Sequence, residues 1–177
     1  MWDPVREKRV KKTIPIRLPL EALDHEFKLD PRAMRYADQD PDDRIFESYL
    51  THPVTEKYGR QAVTPLRIYT DGVPVGKTDN FVRFSISSAW SHKRRTVFVV
   101  MKSTLCKCGC NGHCTLNALQ WPDNKSINAL QKGVHPEARH DESPWLPSDS
   151  QRSQQRGSLS WIGAVCEIAG TGPNCVL

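Results

Sequence analysis

Cysteine clustering constrains this chain more than any other feature of its sequence. Four of the six cysteines fall within the nine residues 106–114, whose sequence is CKCGCNGHC. The four are Cys106, Cys108, Cys110 and Cys114, with His113 beside the last of them. Packing alone does not require thiols at this density, whereas four soft sulfur ligands on a glycine-containing loop can surround one tetrahedral ion. The cluster therefore predicts a structural zinc site held by the four cysteines, with His113 as a reserve ligand.

An even number of cysteines also suggests a disulfide framework, as in small secreted domains. The spacing argues against one here, because cysteines one residue apart do not readily bridge each other and local pairing of all four would strain the disulfide geometry. The opening residues, MWDPVREKR, contain no apolar core of a signal peptide. We therefore expect an intracellular protein, nuclear or cytoplasmic, in whose reducing environment clustered cysteines usually bind metal.

Two questions about the cysteines stay open at this level. The spacing C-x-C-x-C-x3-C departs from the usual C-x2-C knuckle and does not by itself identify the metal. Free thiols and disulfides are the alternatives to a metal site. Cys166 and Cys175 lie far from the cluster in sequence and are interpreted as ordinary buried or terminal thiols.

Size and composition indicate one globular domain. A chain of 177 residues can bury one core of useful size. Its 38% of hydrophobic and 25% of charged residues are typical of a globular protein with irregular segments. The longest apolar run, at 97–101, is far shorter than the roughly 18 residues of a membrane span, so we expect no membrane association.

Basic residues concentrate in two runs, at 6–12 and 93–95, and the formal net charge is +5. Such patches can follow a phosphate backbone, since each lysine or arginine that displaces counterions adds salt-sensitive affinity. A basic run near a terminus is equally typical of a solvated arm, and a basic triplet between strands of a polar turn. Nucleic acid is therefore the partner that the sequence indicates, with a solvating role as the alternative.

Hydrophobic periodicity separates a central core from irregular flanks. Residues 1–60 are interrupted by prolines, and we expect an N-terminal arm with short helices at 20–27 and 43–50. The core is expected at 61–168, and a tail without further elements at 169–177.

Within the core, alternation of apolar and polar residues predicts three consecutive antiparallel strands. They lie at 66–70, 81–87 and 96–102. Every second residue of such a strand faces the core, so we expect Ile68, Phe84 and Ile86 to be buried.

Beyond the cysteine loop the pattern changes from strand to helix. Residues 115–121 predict a helix capped by Thr115, which Pro122 ends or kinks before it resumes at 126–132. A low-complexity linker or long loop at 148–158 precedes a fourth strand at 159–168. The predicted class is α+β, with a cysteine-rich loop, one or two helices and irregular terminal arms.

The segment LRIYTDG at 66–72, followed by two more strands and a helix, resembles the opening of an RNase H-like domain. That superfamily includes retroviral RNases H and cut-and-paste transposases. The resemblance implies that Asp71 is a first catalytic acid at the end of strand one, and that magnesium or manganese would serve catalysis. Asp-Gly is also the commonest hairpin turn signal, so a turn without catalytic meaning is the alternative.

The stretch from 69 to 121, with its Asp-Gly, its cysteine loop and the Cys-Thr that opens a helix, is similar to an uncharacterised multicopy group of predicted proteins that are apparently transposon-derived. The resemblance covers roughly residues 50–168. It implies descent from a transposase and carries no activity of its own.

The acids expected of such a nuclease are incomplete in this chain. The resemblance places a second acid just after strand four, where Ile168 is followed by AGTG, and a third beyond Leu177. Two-metal catalysis needs several converging carboxylates. The available substitutes are interpreted as loop, cap or surface acids; they are Asp79, Asp123, Asp141 and Glu167.

Two functions follow from these observations. The first is a truncated, inactive, transposase-derived RNase H-like domain with a structural zinc site, which would be a metal-dependent nuclease or transposase if it were active. The second is a zinc-stabilised module without catalytic ancestry that binds nucleic acid or protein. A carboxylate beside Asp71 would favour the first, and a solvent-facing turn at Asp71 the second.

Overall fold

The chain has an α+β fold built on a mixed four-stranded sheet. A computed structural model describes residues 1–3, 5–11, 13–31, 43–75, 79–91, 93–155 and 157–171. The strands are β1 (Trp2–Asp3), β2 (Lys8–Arg9), β3 (Val63–Val75), β4 (Asp79–Ser88), β5 (Arg95–Met101) and β6 (Ile162–Thr171). The α-helices are α1 (Pro19–Leu29), α2 (Asp43–Leu50), α3 (Pro53–Tyr58), α4 (His113–Lys132) and α5 (Ser150–Gln154).

The central sheet has the strand order β5-β4-β3-β6, and a separate two-stranded hairpin joins β1 to β2. The three strands predicted from alternation pair antiparallel, with Ile68 opposite Ile86. The fourth strand lies parallel to β3 on its other edge. A parallel neighbour requires a long crossover connection, and here that connection contains α4.

One face of the sheet packs against α1 and α4 around a single apolar cluster. Ile68, Phe84 and Ile86 are all buried in it, as their alternation predicts. The rings of Phe84 and Phe98 stack with centroids 5.3 Å apart across β4 and β5. Phe27 of α1 meets Trp161 edge to face at 4.5 Å. Aromatic contacts of this kind add to the area that is buried, so the helices are fixed in position on the strands.

The opposite face carries a smaller core beneath α2 and α3. Its buried members are Tyr49, Val63, Trp90 and Ala164. The hydroxyl of Tyr49 donates a hydrogen bond of 2.8 Å to the carbonyl of Val63 at the start of β3. Its ring meets that of Trp90 edge to face at 6.1 Å. The sheet is therefore covered on both faces at this end.

One sequence prediction about an element end is wrong. Strand one does not end within a residue of Asp71: β3 runs on to Val75, and Asp71 and Gly72 are paired with β4. Pairing across the strands outweighs the turn tendency of Asp-Gly, and residues 76–78, which follow β3, lie outside the described residues. Of the two effects predicted for Pro122, an end of the helix is not observed, and a kink stays a prediction. Pro122 is buried inside α4, where packing offsets the hydrogen bond that proline cannot donate.

A carboxyl group lies buried one residue after that proline. The side chain of Asp123 is 0% exposed, and neither of its oxygens has a hydrogen-bond partner in the described part of the chain. Burial raises its pKa from 3.8 to about 7. An isolated buried carboxylate loses its hydration without compensation, so the protonated form is the one that the fold accommodates.

We predict that Asp123 makes the fold less stable as the pH rises from about 4 to 7. The unfolded chain releases this proton near pKa 3.8, whereas the folded chain holds it to about 7. The free energy of unfolding should fall across that window by an amount on the order of 4 kcal/mol at most. Asp123→Asn should remove this part of the pH dependence, as measured by urea unfolding at a series of pH values.

Asp141→Asn is the matched control, because Asp141 is an exposed acid and its pKa is lowered by hydrogen bonds from Ser143. This control should keep the fall in stability between about pH 4 and 7. Identical pH profiles for the wild-type chain and Asp123→Asn would contradict the assignment.

Candidate metal centre

The four clustered cysteines converge on one point. Their sulfur atoms all lie within 4.8 Å of one another, with Cys108 Sγ 3.1 Å from Cys110 Sγ and 3.6 Å from Cys114 Sγ. A tetrahedral zinc ion with Zn–S bonds of about 2.3 Å holds its sulfurs about 3.8 Å apart. The arrangement therefore fits a single ion of this size. In the part of the chain that the structure describes, it is the one group of three or more potential ligands so close together.

Local backbone conformation brings the sulfurs together between β5 and α4. The loop turns through three residues with positive φ, which are Gly109 (90°), Asn111 (51°) and Gly112 (89°). A Cβ atom at Gly112 would lie 2.9 Å from Leu105 Cδ1, so this position needs glycine for space as well as conformation. Because α4 starts at His113, Cys114 belongs to its first turn.

The loop is closed by a hydrogen bond to the helix that follows it. The backbone N–H of Cys106 donates to Thr115 Oγ1 at 3.0 Å, and both residues are buried. Thr115 was expected to cap the helix, but it lies inside α4 and serves the loop instead. Cys106 is 9% exposed, whereas Cys108 and Cys114 are open to solvent. The site is thus anchored on its Cys106 side and open on the other.

An arginine from the far end of the chain completes the surroundings of the site. Arg9 of β2 donates from Nη2 to Cys106 Sγ at 3.2 Å. The contact raises the pKa of Arg9, chiefly through the charge on Cys106. Four thiolates around a divalent ion carry excess negative charge, which a guanidinium balances. No local pattern in the sequence indicates this contact, since 97 residues separate the partners.

Because the sulfurs lie close together, the pKa values of some of the thiols are lowered and that of another is raised. The N–H of Cys114, 3.4 Å from Cys110 Sγ, and the thiol of Cys108 lower the pKa of Cys110 to about 6. The neighbouring sulfurs of Cys110 and Cys108 raise the pKa of Cys114 to about 12. Hydrogen bonding to Cys108 lowers the pKa of Cys106. Protons are shared within the cluster, and a divalent cation would replace them.

The remaining predicted ligands and thiols lie apart from this centre. His113 is exposed at the start of α4 and is not in the group that converges, so its reserve role stays a prediction. Cys166 is a half-buried thiol in β6 that donates to the carbonyl of Ala164 at 3.3 Å, and burial raises its pKa to about 11. Cys175 lies outside the described residues.

Asp71 lies among arginines on the strand face opposite Ile68. Its carboxylate is 3.1 Å from Arg83 and 3.6 Å from Arg94. The guanidinium of Arg94 also sits 3.8 Å above the ring of Tyr69. A divalent cation at Asp71 would meet two positive charges, and in the described residues no group of three potential metal ligands includes Asp71.

Each of the four substitute acids is either engaged in contacts with neighbouring groups or buried, as expected of an acid with a role in the fold. Asp79 accepts from the N–H groups of Asn80 and Ser103, which joins β4 to the turn after β5. Glu167 forms an ion pair of 2.8 Å with Arg67 on the adjacent strand. Asp141 accepts from Ser143, and Asp123 is the buried carboxyl described above. None of the four belongs to a convergent ligand group in the described ranges.

No family model, curated protein or solved structure matches this chain. Among the described residues, no helix combines the length and the apolar character that crossing a bilayer requires.

We predict that the purified chain holds about one zinc ion, and that Cys108→Ser loses it. The free energy of metal binding to such a loop contributes to the stability of the fold, so the variant should unfold at a lower temperature than the metal-bound wild type. Elemental analysis measures the first effect, and thermal unfolding with and without a chelator measures the second.

Cys166→Ser provides the control, since it removes a thiol outside the cluster. It should keep the metal and its response to chelator. A wild-type chain that contains no metal and whose stability does not respond to a chelator would refute the site.

Proposed function

We propose that this chain is a zinc-stabilised, RNase H-like domain of transposase descent that lacks nuclease activity. The observation that carries the zinc site is the approach of four cysteine sulfurs within 4.8 Å of one another. The descent is supported by the order of elements, in which three antiparallel strands, a helix and a further strand follow one another and give a mixed sheet.

The zinc has a structural role in this proposal. All four ligands come from the loop 106–114, and a four-cysteine site leaves no open position for water or substrate. The loop joins β5 to α4, so an ion bound there fixes the start of the helix that covers the sheet. In such a site the binding free energy of the metal stabilises the folded state.

The absence of nuclease activity follows from electrostatics. Two neighbouring divalent ions repel strongly unless several carboxylates neutralise them. Asp71 is paired with Arg83 and Arg94 instead. β6 extends to Thr171, which lies opposite Asp71, so the residue beside Asp71 on that strand is not an acid.

We predict no cleavage of single-stranded DNA, duplex DNA or RNA-DNA hybrids in magnesium or manganese. The zinc-loaded chain and its Asp71→Asn variant should both match a buffer control, because neither can assemble a two-metal clamp. A gel assay with end-labelled substrates measures this. Metal-dependent cleavage by the wild type that disappears in Asp71→Asn would overturn the proposal and assign Asp71 to a catalytic site.

A second candidate is a nucleic-acid binding module without catalytic ancestry, and one observation favours it. Lys8 and Arg9 of the basic run form β2 of the N-terminal hairpin, and Arg9 contacts the metal loop at Cys106. A solvated arm would make no such contact. The hairpin therefore presents its basic residues on a defined surface beside the metal centre.

A further inference from the structure

A cavity of about 400 Å³ lies between the metal loop, the first turns of α4 and the segment that follows β2. Cys106, Cys114 and Thr115 contribute to one side of it. Cavities of this size are typical of sites that bind small molecules or single residues of a polymer. Of the four cysteines of the metal centre, two, Cys106 and Cys114, also line this cavity.

The lining of this cavity combines positive charge with apolar surface. Lys11 supplies one cation, and Arg9 supplies a second, whose guanidinium already donates to Cys106 Sγ. The described lining residues include no aspartate or glutamate, and the negative charge at the cavity comes from the sulfurs of Cys106 and Cys114. The apolar part comes from Ile14, Ala118 and Leu119. The first turn of α4 adds the positive end of the dipole of a 20-residue helix. A ligand with an anionic group and a flat or apolar body matches this combination.

Further exposed cations lie on the elements next to the cavity. Arg6 and Lys8 are exposed on the hairpin, Lys102 in the turn after β5 and Lys107 on the metal loop. The hairpin packs against the turn Lys102–Thr104, so both groups share one surface.

The nearby acids are mostly engaged. Asp3 accepts from the N–H groups of Val5 and Arg6, and Asp79 accepts from that of Ser103. Glu7, exposed in the hairpin turn, is the acid that reduces the local charge. Cations at several points around one cavity suit a chain of phosphates better than a single anion.

We propose that this cavity receives one nucleotide of a single-stranded nucleic acid. Its phosphate lies at Lys11, because Arg9 is already hydrogen-bonded to Cys106, and its nucleoside packs on the apolar surface of Ile14, Ala118 and Leu119. Neighbouring phosphates contact the exposed lysines and arginines of the hairpin and the metal loop. A single strand is required because a base must leave its stack to enter a pocket. The inference rests on the proposed zinc site, since Cys106 and Cys114 line the cavity and Cys106 holds Arg9.

The test is fluorescence anisotropy of a labelled DNA strand of about ten nucleotides, titrated with the zinc-loaded full chain. Titrations between about 50 mM and 200 mM NaCl give the salt dependence. Lys11→Glu should weaken binding by about fivefold to tenfold and lower the salt slope by about 0.7. Ala118→Leu fills part of the cavity without changing the charge or adding an aromatic ring on which a base could stack, and should weaken binding by about fivefold.

Lys132→Glu is the matched control. It reverses an exposed charge at the opposite end of α4, about 20 Å along the helix from Leu119 of the cavity, and should bind as the wild type does apart from a small effect of net charge. Zinc content is measured on every variant, so that a lost metal site is not mistaken for lost contacts with the strand.

The outcomes separate this inference from the zinc proposal. Zinc-loaded Lys11→Glu or Ala118→Leu that binds the strand like Lys132→Glu would overturn the inference and leave the zinc site intact. Equal affinity for a duplex, or for a free mononucleotide, would overturn the single-strand assignment. A wild-type chain without zinc would refute the proposed function, and the same two variants would still decide whether the cavity binds a strand.

Discussion

Parallel pairing between β3 and β6 is the constraint on which the rest of the structure depends. β5 and β3 end at the same end of the sheet, because Met101 lies opposite Phe81. β6 begins at the other end of the sheet, beside Val63. The chain must therefore return along the sheet, and α4, with 20 residues and a length of about 30 Å, makes that return. The reversal between β5 and α4 falls in the loop that carries the four cysteines.

That reversal explains why a metal would be valuable at this point. The loop holds Asn111 at a positive φ, which is costly for a residue other than glycine, and it exposes two of its sulfurs to solvent. An ion joining four side chains adds strong bonds where few apolar contacts are possible. The contact between Arg9 and Cys106 extends this support to the N-terminal hairpin, because it joins β2 to the cysteine loop through a charged hydrogen bond.

Sequence patterns predicted the features that depend on neighbouring residues. Alternation placed the strands and the buried side of Ile68, and the cysteine ligands could be named because they lie within one loop. The features that were missed depend on distant partners. Asp-Gly was expected to end a strand, but pairing with β4 continues through it. The guanidinium groups at Asp71 and the arginine at Cys106 come from other elements, and no local pattern reports them.

The proline inside α4 divides that helix into two parts that can unfold separately. Pro122 has no N–H to donate, so the carbonyl of Ala118 loses the usual bond across this turn. Residues beyond it are held by the core through Leu130 and by the hydrogen bond from the N–H of Leu20 to Ser126, whereas those before it are held by Leu119 in the core and by the cysteine loop. Opening of the metal site would thus unwind the helix only as far as the proline, and amide exchange would report two foldons within one continuous helix.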